Sequence, residues 1–212
     1  MHRLSPAERL ALAGAALLML LQALPALQPA LEYRAATAWS QPWRLVTAHL
    51  VHVNWTHAAI NAAAWWVVAR LFAPELRIRA QLAVAAVAAV AIGAGLALLH
   101  PGIAWYRGFS GVLHGLFFAG SVQWLIETLR TPAHRTLRAL WLPVVLLAGG
   151  AIKVVAEQPV GSTTPFADWL GAGTVPQAHL FGAVAGAVMG AAMGAALRAV
   201  KAAPSRDARD PT

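Results

Sequence analysis

The chain has 212 residues and a formal net charge of +8, with 59% hydrophobic and only 11% charged residues. Soluble domains usually carry about 25% charged residues, so too few polar side chains are present to coat a globule of this size. The apolar excess likewise excludes disorder, and the absence of cysteine removes disulfides, thiolate metal sites and a cysteine nucleophile.

A hydrocarbon core about 30 Å thick is crossed by roughly 20 apolar residues in helical form. Six runs answer to that description: Arg9–Leu27, Thr56–Phe72, Ala80–Leu99, Ser110–Leu129, Leu137–Ala156 and Ala178–Val200. The pattern predicts an all-α membrane protein, with residues 1–201 as one six-helix domain and 202–212 as a short disordered tail. The first run is longer than a signal-peptide core and reads as a retained anchor. With both termini cytoplasmic, 12 of the 16 basic residues fall on the inner side, as the positive-inside bias requires. The charges therefore report orientation in a lipid bilayer, and no nucleic-acid partner is implied. Between the first two runs lies a long outer segment containing Trp39, Trp43 and Trp55, suited to the headgroup belt. Trp65 and Trp66 are expected to face lipid, and Lys153 to snorkel outward. The segment 158–177 carries Phe166 and Trp169, a pair suited either to a cap over a site or to plain interfacial anchoring.

Polar residues inside a membrane are costly and are functional candidates by default. His52, His57 and Asn61 stand at the start of the second helix, Ser110 and His114 open the fourth, and His179 opens the sixth. These helices all run inward from the outer side, so the groups share one layer. A serine hydroxyl becomes a nucleophile when a base removes its proton, and imidazole is the usual base. Gly111, Gly115 and Ala119 face Gly182, Gly186 and Gly190 at matching four-residue spacing, the pattern that lets membrane helices pack backbone to backbone. His179 can thus reach Ser110, while His57, Asn61 and the Ser110 N–H can serve a tetrahedral oxyanion. Read singly, Ser110 is also a good helix N-cap and His179 an ordinary interfacial histidine; their common layer favours the pair. No aspartate lies in the membrane runs to orient the base, so the expectation is a Ser–His dyad; an intramembrane aspartyl protease is excluded because Glu127 and Glu157 sit near opposite ends of their helices. Histidines on several helices can hold haem or another metal, but that leaves the Gly108-Phe109-Ser110-Gly111 turn unexplained. No metal and no cofactor are expected.

Four elements then resemble one family: Trp43-Arg44; His52-x4-His57-x3-Asn61; Gly108-Phe109-Ser110-Gly111; and Ala178-His179-x2-Gly182-x3-Gly186. In order and spacing they are similar to the rhomboid intramembrane serine proteases, from about Trp43 to Gly190. The resemblance implies the bare six-helix rhomboid core, with Ser110 as nucleophile and His179 as general base. It places His57 and Asn61 at the oxyanion hole, Trp43 and Arg44 as braces of the first loop, and lateral access between the second and fifth helices. Many rhomboids carry tyrosine four residues after the serine, stacked on the base; this chain has His114, which either orients His179 or meets substrate. His52 reads as structural, holding the first loop. The string Gly-Phe-Ser-Gly-Val-Leu-His-Gly on so short a chain resembles the rhombosortase branch. That branch implies a bacterial inner-membrane enzyme opening towards the periplasm. Its expected substrates are secreted proteins ending in Gly-Gly, one hydrophobic helix and a basic tail. Cleavage is expected near the Gly-Gly pair, with the acyl-enzyme resolved by water or an amine. The alternatives are a general rhomboid protease acting on other single-pass proteins and a pseudoprotease that binds transmembrane helices.

Overall fold

The computed structural model describes residues 3–132, 135–158 and 174–202, with side chains described as far as residue 196. Helix α1, Pro6–Gln22, starts at a full capping box: Ser5 Oγ accepts from the Glu8 N–H at 3.2 Å, and Glu8 Oε2 accepts from the Ser5 N–H at 2.7 Å. It ends earlier than the apolar run does, because Pro25 and Pro29 can neither donate to nor pack within a continuing helix. Two short helices follow, α2 (Gln28–Leu31) and α3 (Arg44–Thr47). The long helices α4 (Trp55–Leu71), α5 (Ile78–Leu99), α6 (Ser110–Arg130), α7 (Leu137–Ala156) and α8 (Pro176–Ala202) complete the described chain.

Four of these, α5 to α8, are long and apolar enough to cross a membrane among the described residues; α1 and α4 have 17 residues each. Leu98, Leu99, Val144, Ile152 and Val188 stand exposed on the outside of the bundle. Large apolar side chains turned outward on helices are stable only against lipid, and the chain is a multi-pass membrane protein.

The interior is organised by close helix approach. A Cβ added at Gly182 or Gly186 would fall on the carbonyl oxygen of Gly111 or Gly115, and one at Gly190 would lie 2.8 Å from the Ala119 oxygen. Residue numbers rise together along both helices, so α6 and α8 are parallel, with α7 returning between them. Their N-terminal ends are thereby level, which places Ser110 beside His179. Trp65 corrects the expectation of a lipid-facing ring: it is buried, seated over Gly14 of α1 and against the Phe109 ring at 4.4 Å. Trp66, its neighbour, is exposed.

The segment between α1 and α4 is more structured than its composition suggests. A two-residue strand β1 (Tyr33–Arg34) pairs antiparallel with β2 (Trp105–Tyr106), Tyr33 opposite Tyr106 and Arg34 opposite Trp105. Two residues each are too few for a period-2 pattern to show. Arg107 reinforces this pairing through an ion pair with buried Glu32 at 2.6 Å and a hydrogen bond to Gln28 Oε1 at 2.6 Å. Buried Arg44 donates to the carbonyls of Pro29 at 2.7 Å and Glu32 at 2.8 Å and to the Gln41 side chain, while the Trp43 indole donates to Ala30 at 3.2 Å. Charged hydrogen bonds of this kind contribute about 1.5–3 kcal/mol each. Arg44→Ala is therefore expected to lower stability by about 3 kcal/mol, read as a drop in thermal midpoint in detergent. Arg44→Lys should recover little, since a point charge cannot span the three acceptors.

Candidate active site

The chain enters α6 through a turn that only glycine permits. Gly108 has φ +132°, a region essentially reserved for residues without Cβ, and a Cβ there would sit 2.7 Å from the His57 ring. Three hydrogen bonds fix the turn. The Gly108 N–H donates to the Ala48 carbonyl at 3.1 Å, the Tyr106 hydroxyl donates to the Gly108 carbonyl at 2.6 Å, and the Phe109 N–H donates to His52 Nε2 at 3.3 Å. Burial, reinforced by the neighbouring His57, pushes the His52 imidazole down to about 3, so it stays a neutral acceptor. His52 thus holds the serine turn rather than the first loop, and its ring meets that of His57 edge-to-face at 5.0 Å. His49, also buried, donates from Nε2 to the Ala89 carbonyl of α5 at 3.1 Å.

Ser110 is the first residue of α6, and its Oγ lies 2.9 Å from His179 Nε2. On the other side of the ring, His179 Nδ1 lies 2.8 Å from Glu157 Oε2. A carboxylate only accepts, so the ring proton resides on Nδ1 and the Nε2 lone pair faces the serine hydroxyl. Glu157 stands one residue beyond α7 and receives Lys153 Nζ on its other oxygen, Oε1, at 2.6 Å. Burial works against ionising Glu157, but the hydrogen bonds from His179 and Lys153 outweigh it and hold the carboxyl down to about 2.

His114 stacks on His179, ring centroids 4.3 Å apart and planes 18° from parallel. Its Nδ1–H donates to the Ser110 carbonyl at 2.8 Å, leaving Nε2 to accept from Lys153 Nζ at 3.2 Å. Lys153, its side chain still half exposed, thus lies at the edge of the site with its ammonium carried to the Glu157 end of α7. Asn61 is buried and donates from Nδ2 to the His57 carbonyl at 3.0 Å. The His57 N–H in turn donates to the Asn54 side chain at 2.8 Å, which caps α4 and fixes the start of that helix.

Two cavities meet at this cluster. One of about 690 Å³ descends between α4, α6 and α7, with Ser110, His57, Asn61 and His179 at its top and Val68, Phe117 and Leu146 along its walls. The other, about 210 Å³, opens between the cluster and the β2 segment, where Trp105 and Arg107 line it. A metal would find ligand atoms of His114, Glu157 and His179 within 4.8 Å of one another. Stacked imidazoles, however, direct their lone pairs along parallel planes, which do not converge on one ion. Phe166 and Trp169, the candidate cap, lie outside the described residues.

The structure brings together Ser110, His179, His57, Asn61 and His114, with His52, Gly108 and Gly111 beneath them and Trp43 and Arg44 in the loop above. The residues that sequence reasoning passed over are Glu157 and Lys153. A signal for them exists: an acid at a helix C-terminus opposes the helix dipole, and Lys before Glu at i, i+4 is the weaker orientation. No curated protein matches the chain. The Rhomboid domain family model matches residues 39–196, a range that takes in every element of the site from the loop brace to the small-residue face of α8. The chain belongs to the rhomboid family, a family of intramembrane serine proteases.

Proposed function

We propose that this protein is an intramembrane serine endopeptidase of the rhombosortase type, in a bacterial inner membrane with its site open to the periplasmic side. The observation that carries the reading is the 2.9 Å contact between Ser110 Oγ and His179 Nε2 at the junction of the two cavities. Ser110 Oγ attacks the scissile carbonyl carbon while its proton passes to His179 Nε2. The oxyanion is met by the Ser110 N–H with His57 and Asn61. Collapse breaks the C–N bond as the imidazolium returns its proton to the leaving amine. Water, or an amine nucleophile, then releases the acyl group from Ser110.

The substrate class is the one the resemblance implies, and the shape of the site is compatible with it. The larger cavity is apolar and reaches the depth of Val68 and Leu146, as a helical segment entering from lipid requires. Its wall on α7 includes Gly149 and Gly150. The smaller cavity opens towards Trp105 and Arg107. A Gly-Gly junction unwinds at little cost, which presents an extended scissile bond to Ser110. Co-expression with a secreted reporter ending in Gly-Gly, an apolar helix and a basic tail tests this. Release of the tail helix is expected, and a Val-Val reporter should fall by tenfold or more. Equal cleavage of both reporters would move the assignment to a general rhomboid protease. Cleavage of neither, with no labelling of Ser110, would indicate a helix-binding pseudoprotease.

A further inference from the structure

Resting on the reading of Ser110 and His179 as nucleophile and base, we infer that Glu157 is a positioning residue that makes the pair a Ser–His–Glu array, with Lys153 assigning its two oxygens. The simplest account of Glu157 is an i, i+4 ion pair with Lys153 at the end of α7, a contact that contributes little when exposed. That account leaves the second oxygen unexplained. Oε2 lies 2.8 Å from His179 Nδ1, the atom opposite the one facing Ser110. Lys153 takes Oε1 and also reaches His114 Nε2, so Oε2 is left for the base. The ring is thereby fixed three ways: Glu157 sets its tautomer, His114 sets its plane by stacking, and Ser110 sits at its reactive nitrogen.

The placement on α7 has a mechanical basis. Among its 20 residues only Pro143 and Val154 are buried. Val154 packs with Phe118 and Ala183, and Gly150 lets the rings of Phe117 and Phe118 approach, a Cβ there meeting them at 2.8 and 3.2 Å. The outer end of α7 is thus seated against α6 and α8 where Glu157 must meet His179, while the rest of its surface faces cavity or lipid.

The test is the kinetics of fluorophosphonate inactivation in detergent for wild type, Glu157→Ala, Glu157→Gln and Glu157→Asp, beside Ser110→Ala. The Ala and Gln variants are expected to lose about 10²–10⁴-fold in the maximal inactivation rate with probe affinity unchanged, as when the orienting acid of other serine hydrolases is removed. Gln should be no better than Ala, because its amide can hold the ring in the wrong tautomer. Asp should return to within about tenfold, and formate should restore part of the Ala variant's rate. Nitrogen-15 histidine spectra should show the hydrogen-bonded Nδ1–H of His179 in wild type and its loss in Glu157→Gln. Thermal midpoints identify any variant that merely fails to fold, and the spectra then decide. Inactivation of folded Ala and Gln variants within threefold of wild type would overturn the inference while leaving the Ser110–His179 reading intact. No adduct on wild-type Ser110 would remove both.

Discussion

Gly186→Val is expected to abolish the folded enzyme, with the helix pair that carries Ser110 and His179 forced apart. Extra methylenes in a packed core usually cost about 1–3 kcal/mol, because the neighbours they strike are side chains that can turn aside. Here the neighbour is the Gly115 carbonyl oxygen, part of the α6 backbone and already within a helical hydrogen bond. The helix cannot yield at that point without losing the adjoining contact of Gly182 on Gly111, one turn closer to the site. The loss should therefore exceed about 3 kcal/mol, and even Gly186→Ala should be clearly destabilised. Gly102→Ala is the control, since a methyl there meets nothing within 4 Å. Thermal unfolding in detergent should show a large drop for the first two variants and less than a degree or two for the third.

Ser110→Ala and His179→Ala are each expected to reduce proteolysis by about 10⁴–10⁶-fold, and the double variant by scarcely more than either alone. In the proposed dyad the two groups act as one unit: without the base, the serine hydroxyl at 2.9 Å has nowhere to send its proton; without the serine, the base has no proton to take. Neither substitution touches the helix contact below, so folding should persist. Turnover of a reporter substrate, measured beside thermal midpoints, separates this outcome from unfolding.

Much of this site could be read from sequence because it is built on periodicity. Ser110 and His114 lie four apart, as do His57 and Asn61, and the glycines of α6 and α8 recur at the same interval, so helical geometry alone places them on shared faces. The membrane adds the rest, since a buried polar residue there requires a reason. Glu157 escaped that logic. It lies outside the helix proper, its partner is 22 residues further along the chain, and its i, i+4 lysine offers a ready mundane explanation. Lys153 is hidden with it, because snorkelling is the default for a lysine near a membrane surface, and only the structure shows that its ammonium also meets His114 Nε2. The end of α1 and the β1–β2 pairing lay in the stretch where Pro25, Pro29 and two-residue strands defeat any period. Residue type alone sends Trp65 to lipid, whereas Gly14 on a separate helix makes the space that buries it.

The pH response of the array follows from Glu157. Its carboxyl is held at about 2 in the folded protein, below the ordinary carboxylate range. A depressed acid contributes stability above its unfolded pKa and loses it only as the pH falls through the folded one. The contact with His179 is therefore expected to survive mild acidification, and the labelling deficit of Glu157→Ala relative to wild type should persist down to about pH 5.

The proposed role of Ser110 as a nucleophile activated by His179 rests on the 2.9 Å contact between them. Its most direct test is labelling of the purified protein with a fluorophosphonate, followed by peptide mapping of the adduct, beside Ser110→Ala and His179→Ala. The expected result is a single adduct on Ser110 in the wild type and none in either variant. An adduct at another residue, or labelling that proceeds equally in all three proteins, would contradict it.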